Sequence, residues 1–171
     1  MSQIQALGKS INAILDGFVS KQLAEEIVAE SFGTTIQPDS FYPIENFLEA
    51  LAKIEDEYGD LVLRSIGKKM MSNAEWPQNV HDLESVLQSI NTAYQMNTRP
   101  NDPSIIGSYK FDKLSDKSFT ITCDNPYPCV FDEGIITGAA KAFDKGARIS
   151  HQEGSCRKNG NRHCVYEIST Y

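Results

Sequence analysis

Tyr109-Lys110-Phe111-Asp112-Lys113-Leu114-Ser115-Asp116-Lys117-Ser118-Phe119-Thr120-Ile121-Thr122-Cys123 is where the chain changes period. Apolar residues alternate at Tyr109 and Phe111, then at Phe119, Ile121 and Cys123, and side chains at every second position share one face of a strand. The Leu114-Ser115-Asp116 segment between the two runs is short enough for a hairpin.

Before this stretch the spacing is helical. Ile4, Leu7, Ile11, Ile14 and Phe18 recur at three- and four-residue steps and continue through Leu23 and Ile27, with Gly17 a bend and Gly33 an end. The segment up to Pro43 reads as a loop. Ile44, Phe47, Leu48, Leu51, Ile54 and Tyr58 make a second helix closed by Gly59, and Leu61, Leu63, Ile66 and Met70 a third that stops at Trp76-Pro77. Leu83, Val86, Leu87, Ile90 and Tyr94 make a fourth, with His81 at its start. Thr98 to Pro103 is a polar connection.

After the hairpin, Pro126 and Pro128 mark a turn, and Phe131 to Lys145 reads as a helix. Its Gly134, Gly138, Ala139, Ala140 and Ala142 allow a neighbouring backbone to come close. Ala147 to Glu153 and Cys164 to Ser169 read as two final strands. The fold class expected is α+β: N-terminal helices packed on a C-terminal antiparallel sheet with one inserted helix. The whole of 1–171 is expected to form one domain, helical over about 1–97, with the sheet and a metal site over about 104–171.

The formal net charge of −7 and a pI near 4.9 disfavour a nucleic-acid partner, which needs clustered cations against phosphate. No run approaches the roughly 20 apolar residues of a membrane span, and the N-terminus has no signal-peptide pattern, so a cytoplasmic protein is expected. The chain ends at Tyr171, just after the last strand, so signalling is expected to need a homodimer or a separate partner.

In that compartment four cysteines are a metal or redox question. Cys129, Glu153, Cys156 and Cys164 form the candidate set. A three-residue loop at Asn159-Gly160-Asn161 pairs Cys156 with Cys164 across two strands and puts both thiols on one face; a two-residue loop turns Cys164 away. Zinc suits three thiolates and a carboxylate, and a filled tetrahedron is structural rather than catalytic. Cys123 is expected in the core, with an all-thiolate site including it as the alternative. His151 and His163 flank the site and are other candidate ligands, and a Cys156–Cys164 disulfide is disfavoured by compartment. Arg157, Lys158 and Arg162 read as a solvated hairpin tip, and the Asp132-Glu133 pair as helix-surface charge. No glycine-rich phosphate loop, nucleophile elbow or H-E-x-x-H is present, so a non-enzymatic role is favoured.

Cys129-Val130-Phe131-Asp132-Glu133-Gly134, Glu153-Gly154-Ser155-Cys156, Asn159-Gly160-Asn161 and Cys164-Val165-Tyr166-Glu167-Ile168 together resemble the C-terminal half of 4-vinyl-reductase-like domains. That family of predicted hydrocarbon-binding proteins is related in fold to TRAPP tethering subunits and, more distantly, to haem nitric-oxide sensors. Asn161 departs from the family's usual acidic residue after the turn glycine. The resemblance implies zinc on Cys129, Glu153, Cys156 and Cys164, and a pocket for a small hydrophobic or aromatic ligand. Phe111, Phe119, Phe131, Ile135, Phe143 and Tyr166 are the candidate lining residues. The function expected is a ligand-binding or sensory domain with structural zinc. The alternative is a dimeric scaffold of tethering-subunit type using the Ile44–Tyr58 and Leu83–Tyr94 helices, and a third reading is an enzyme of tetrapyrrole metabolism.

Overall fold

The computed structural model describes residues 3–171; Met1 and Ser2, the first positions of the expected helical part, lie outside the described residues. The fold is α+β, with antiparallel pairing in both of its sheets.

The N-terminal part contains more than helices. β1 (Gln5–Leu7) leads into two short helices, α1 (Gly8–Ile11) and α2 (Ala13–Gly17), then α3 (Lys21–Phe32), β2 (Phe41–Pro43) and α4 (Ile44–Tyr58). α5 (Asp60–Lys68), α6 (Met70–Asn73), α7 (Leu83–Met96), β3 (Thr98–Arg99) and α8 (Pro103–Ile106) follow. β1 pairs with both β2 and β3, making a small sheet in the order β2-β1-β3. Two- and three-residue strands carry no period of their own, so the helical spacing around Ile4 and Leu7 and the loop before Pro43 concealed them.

α3 and α4 end at the expected Gly33 and Gly59, whereas the inserted helix, Cys129–Phe143, starts and ends two residues earlier than the expected Phe131 to Lys145. Gly33, with φ 66°, caps α3 in the left-handed conformation. Asp82 caps α7: its side chain accepts from the Ser85 N–H while the Ser85 hydroxyl accepts from the Asp82 N–H, satisfying two otherwise orphaned donors. The apolar faces of α4 and α7 are spent on the core, with Ile44, Phe47, Leu51 and Ile54 buried on one and Val86, Leu87, Ile90 and Tyr94 on the other. Neither face is therefore free for a partner, contrary to the scaffold expectation. Val19, Leu23 and Leu61 are the exposed apolar side chains on the α2–α3 and α5 side.

The second sheet is built from β4 (Ser108–Ser115), β5 (Ser118–Asp124), β6 (Arg148–His151) and β7 (Cys164–Ser169), in the order β4-β5-β7-β6. Its alternation is the expected one: Phe119, Ile121 and Cys123 are buried and lie opposite Ile168, Tyr166 and Cys164 in register. A bulge between Lys113 and Ser115 shifts the β4–β5 turn to Asp116-Lys117.

α9 (Cys129–Phe143) is inserted between β5 and β6 and is buried almost all round, against α5 on one side and in contact with α7 and β6. A Cβ on Gly134 would lie 2.3 Å from the Arg64 carbonyl oxygen, and one on Gly138 2.5 Å from that of Lys68. The small residues of α9 are thus required by close backbone approach. One contiguous apolar cluster runs from Ala6 through both parts of the chain to Ile168. Among the described residues no helix is long and apolar enough to cross a membrane.

Candidate metal centre and interior pocket

Cys129, Cys156 and Cys164 come together: their sulfurs lie within 4.8 Å of one another. Each arrives by a different route. Cys129 is the first residue of α9, fixed by Pro128 ahead of it and by the Tyr166 hydroxyl, which donates to the Cys129 carbonyl at 2.5 Å. Cys164 opens β7 on the buried face of the sheet. Cys156 is not in a strand.

The expected hairpin pairing of Cys156 with Cys164 is not formed. β6 ends at His151, opposite Tyr166, and residues 152–163 make a long loop; Glu153, expected on the strand, falls in it. Gly154, at φ 78°, breaks the strand, and a single 3-10 turn at Arg157–Asn159, closed by Gly160 at φ 84°, folds the chain back. The N–H of Arg157 then donates to the Cys164 sulfur at 3.3 Å. The turn, rather than strand pairing, brings the two thiols together.

Glu153 is exposed on that loop and is not in the sulfur group. Cys123 is fully buried beside Cys164 in register, yet its sulfur is not in the group either. His151 stacks on Tyr166 at 4.6 Å and contacts the Ser155 carbonyl through Nε2, and His163 lies 3.7 Å from Asp124.

Burial pushes the Cys129 thiol up to about 12, with Cys156 beside it adding to the rise. Burial works in the same direction on Cys156, but the N–H groups of Lys158 and Asn159 outweigh it and hold this thiol below its ordinary value. Three thiols this close cannot all ionise without a cation to offset them, which is the donor chemistry of a soft divalent metal.

Two residues read as surface charge are central to the site. Asp132 is 0% exposed, one turn into α9. It accepts from the Tyr109 hydroxyl at 2.5 Å and pairs with Arg157 at 2.5 Å. Arg157 also donates through Nε to the Cys164 sulfur at 3.3 Å and through Nη1 to the Asn125 carbonyl. Burial raises the Asp132 carboxyl to about 6, against the opposing pull of Arg157 and its hydrogen-bond donors. The signal was present in the sequence: Asp132 stands among Val130, Phe131, Ile135 and Ile136 on a helix apolar on every side.

A small pocket of about 30 Å³ lies beyond Tyr109, walled by Trp76, Tyr94, Asn97 and Tyr127 among others. Ser10 also lines it, and its hydroxyl is buried without a hydrogen-bond partner. Of the expected lining residues only Ile135 is on this pocket. Phe119, Phe131 and Tyr166 are close-packed core, Phe111 is half-buried and stacked on Phe119 at 5.7 Å, and Phe143 is 39% exposed at the end of α9. The tyrosines were missed because they come from three separate elements that only the fold brings together.

No family model matches the chain, and no curated protein matches it. Solved structures do. An H-NOX protein from S. oneidensis in its Fe(II)NO ligation state aligns with a TM-score of 0.70 at 16% identity, covering 95% of this chain and 98% of that one. Fe(II) unliganded H-NOX from K. algicida gives 0.63 at 14% identity over 96% of both chains. An oxygen-binding H-NOX domain related to soluble guanylate cyclases gives 0.61 at 16% identity, covering 95% of this chain and 91% of that one. The relation to haem nitric-oxide sensors, expected to be distant, is the one these alignments carry: the chain has the H-NOX fold.

Proposed function

We propose that this chain is a small-molecule sensory domain whose wall is held by a structural zinc ion on Cys129, Cys156 and Cys164. The observation that carries the reading is the convergence of three sulfurs, from α9, the β6–β7 loop and β7, within 4.8 Å. Zinc is the metal that three thiolates in a tetrahedral site favour. Glu153, three residues before Cys156 on an exposed loop, is the proposed fourth ligand, delivered by closure of that loop over the ion. The motif run from Cys129 to Ile168 that resembles 4-vinyl-reductase-like domains supports the same set.

The sensed molecule enters the pocket beside Trp76. At about 30 Å³ it has room for one or two waters, whereas a cavity of roughly 150 Å³ is what accepts benzene. A hydrophobic or aromatic ligand therefore binds only by displacing side chains, and Trp76, half-buried and held by one hydrogen bond to the Met70 carbonyl, is the wall that moves.

Haem, which solved structures of this fold carry, does not fit the lining of this interior pocket. A porphyrin needs a cleft of several hundred Å³ and an axial donor facing the iron. None of His81, His151 and His163 lines the pocket. Of the three tyrosines that do, Tyr94 donates to the Ile106 carbonyl and Tyr109 to Asp132, and a volume of about 30 Å³ leaves no room for the macrocycle beside the remaining donors, Tyr127 and Met70.

The test is elemental analysis of protein purified without chelators, together with mass spectrometry under native conditions. One zinc per chain is expected, with or without a small co-purified molecule; protein free of transition metal overturns the reading. A second reading, a dimeric interaction protein, is favoured by the exposed Val19 and Leu61. A strictly monomeric sedimentation profile removes it.

A further inference from the structure

We infer that Arg157 and Asp132 couple occupancy of the thiol cluster to the shape of the interior pocket, so that metal and pocket ligand regulate one another. This rests on the zinc reading above. The link is a continuous series of contacts. Arg157 follows Cys156 directly in the chain, and both its N–H and its Nε donate to the Cys164 sulfur at 3.3 Å. The same guanidinium is the cation paired with Asp132, at 2.5 Å. Asp132 in turn accepts from the Tyr109 hydroxyl at 2.5 Å, and the Tyr109 ring is a wall of the pocket. From Tyr109 the contact continues edge-to-face to Tyr94, with centroids 5.3 Å apart, and on to Tyr127 at 5.8 Å.

Two features make this series a coupling rather than ordinary packing. Arg157 serves both ends at once: a thiolate held by a metal keeps its two donors in place, and a loop that loses the metal carries Arg157 with it. Asp132 cannot be indifferent to that movement, because a fully buried carboxylate deprived of its cation is strongly disfavoured and must shift or take up a proton. Either response changes the acceptor that orients Tyr109. By linkage, whatever zinc does to pocket affinity a pocket ligand does to zinc affinity by the same factor. Arg157 is a positioning residue in this scheme.

The chain contains one tryptophan, Trp76, on the pocket wall, which makes the coupling directly readable. Zinc-loaded full-length protein is titrated with a zinc chelator while Trp76 emission and acrylamide quenching are followed, in the natural chain and in Tyr109→Phe. The natural chain is expected to change its Trp76 signal as zinc leaves. Tyr109→Phe, which keeps the ring and loses the hydroxyl, is expected to hold one zinc per chain and show at most about a third of that change. An undiminished response in Tyr109→Phe, or a silent Trp76 in natural protein that demonstrably loses zinc, overturns the coupling and leaves the zinc reading intact. Protein that never holds zinc overturns both. Should Tyr109→Phe fail to fold by circular dichroism, Asp132→Asn takes its place with the same expected and overturning results.

Discussion

Gly67 on α5 and Gly134 on α9 face each other so closely that a Cβ built on either would lie 2.9 Å from the Cα of the other. The contact sets the distance between the helical part and the helix that carries Cys129. Gly134→Ala would also place its methyl 2.3 Å from the Arg64 carbonyl oxygen, backbone that cannot rotate away. The expected cost is about 2 kcal/mol or more, the range for overpacking a close-packed site. The urea midpoint of the variant against the natural chain measures it, and an unchanged midpoint would refute the packing.

The three sulfurs are expected to be unequal to the fourth. Cys156→Ser and Cys164→Ser should each abolish stoichiometric zinc, whereas Cys123→Ser, outside the group, should keep it. Loss of zinc should lower stability by roughly 3 kcal/mol at free metal about a hundredfold above its Kd. Glu153→Gln should weaken binding without removing it. Native mass spectra of the four variants, with thermal melts, distinguish these outcomes; zinc lost from Cys123→Ser would contradict the assignment.

Asp132 makes stability depend on pH in an unusual direction. Its carboxyl is raised from 3.8 to about 6, chiefly by burial, so between these values the folded chain holds a proton that the unfolded chain has released. Stability contributed by this group is therefore complete below pH ~4 and falls as pH rises to about 6, by roughly 1.4 kcal/mol per unit. Asp132→Asn should remove that slope, although its absolute stability drops because Arg157 loses its counter-ion. Denaturant midpoints of both proteins across pH ~4 to ~7 give the slopes; parallel curves would exclude Asp132 as the titrating group.

Haem supplies a sharp comparison with the solved structures of this fold. Mixing the chain with one equivalent of haem is expected to give the spectrum of unligated haem and no one-to-one complex in native mass spectra. A ligated Soret band at stoichiometric haem would show that the pocket opens far beyond its present size.

The elements with the strongest periods were legible from residues alone. α4 and α7 follow their three- and four-residue spacing, β4 and β5 their alternation, and Gly134 and Gly138 announced a close helix contact. The cysteine grouping was legible too, since residue type and spacing limit the chemistry even when the loop geometry is misjudged. The β6–β7 connection was misread because Asn-Gly-Asn permits several turns, and the choice among them depends on where Cys164 is anchored.

What residues by themselves determined was local: helix and strand periods, caps, the α+β class and three thiols with the means to meet. Tertiary structure alone decided that Asp132 is buried rather than solvated, that Arg157 turns inward to meet it, and that Tyr94, Tyr109 and Tyr127 share one wall. The physical reason is that burial of a charge belongs to no residue singly. It depends on which other elements cover it, and α9 is covered by segments that lie far from it in the chain.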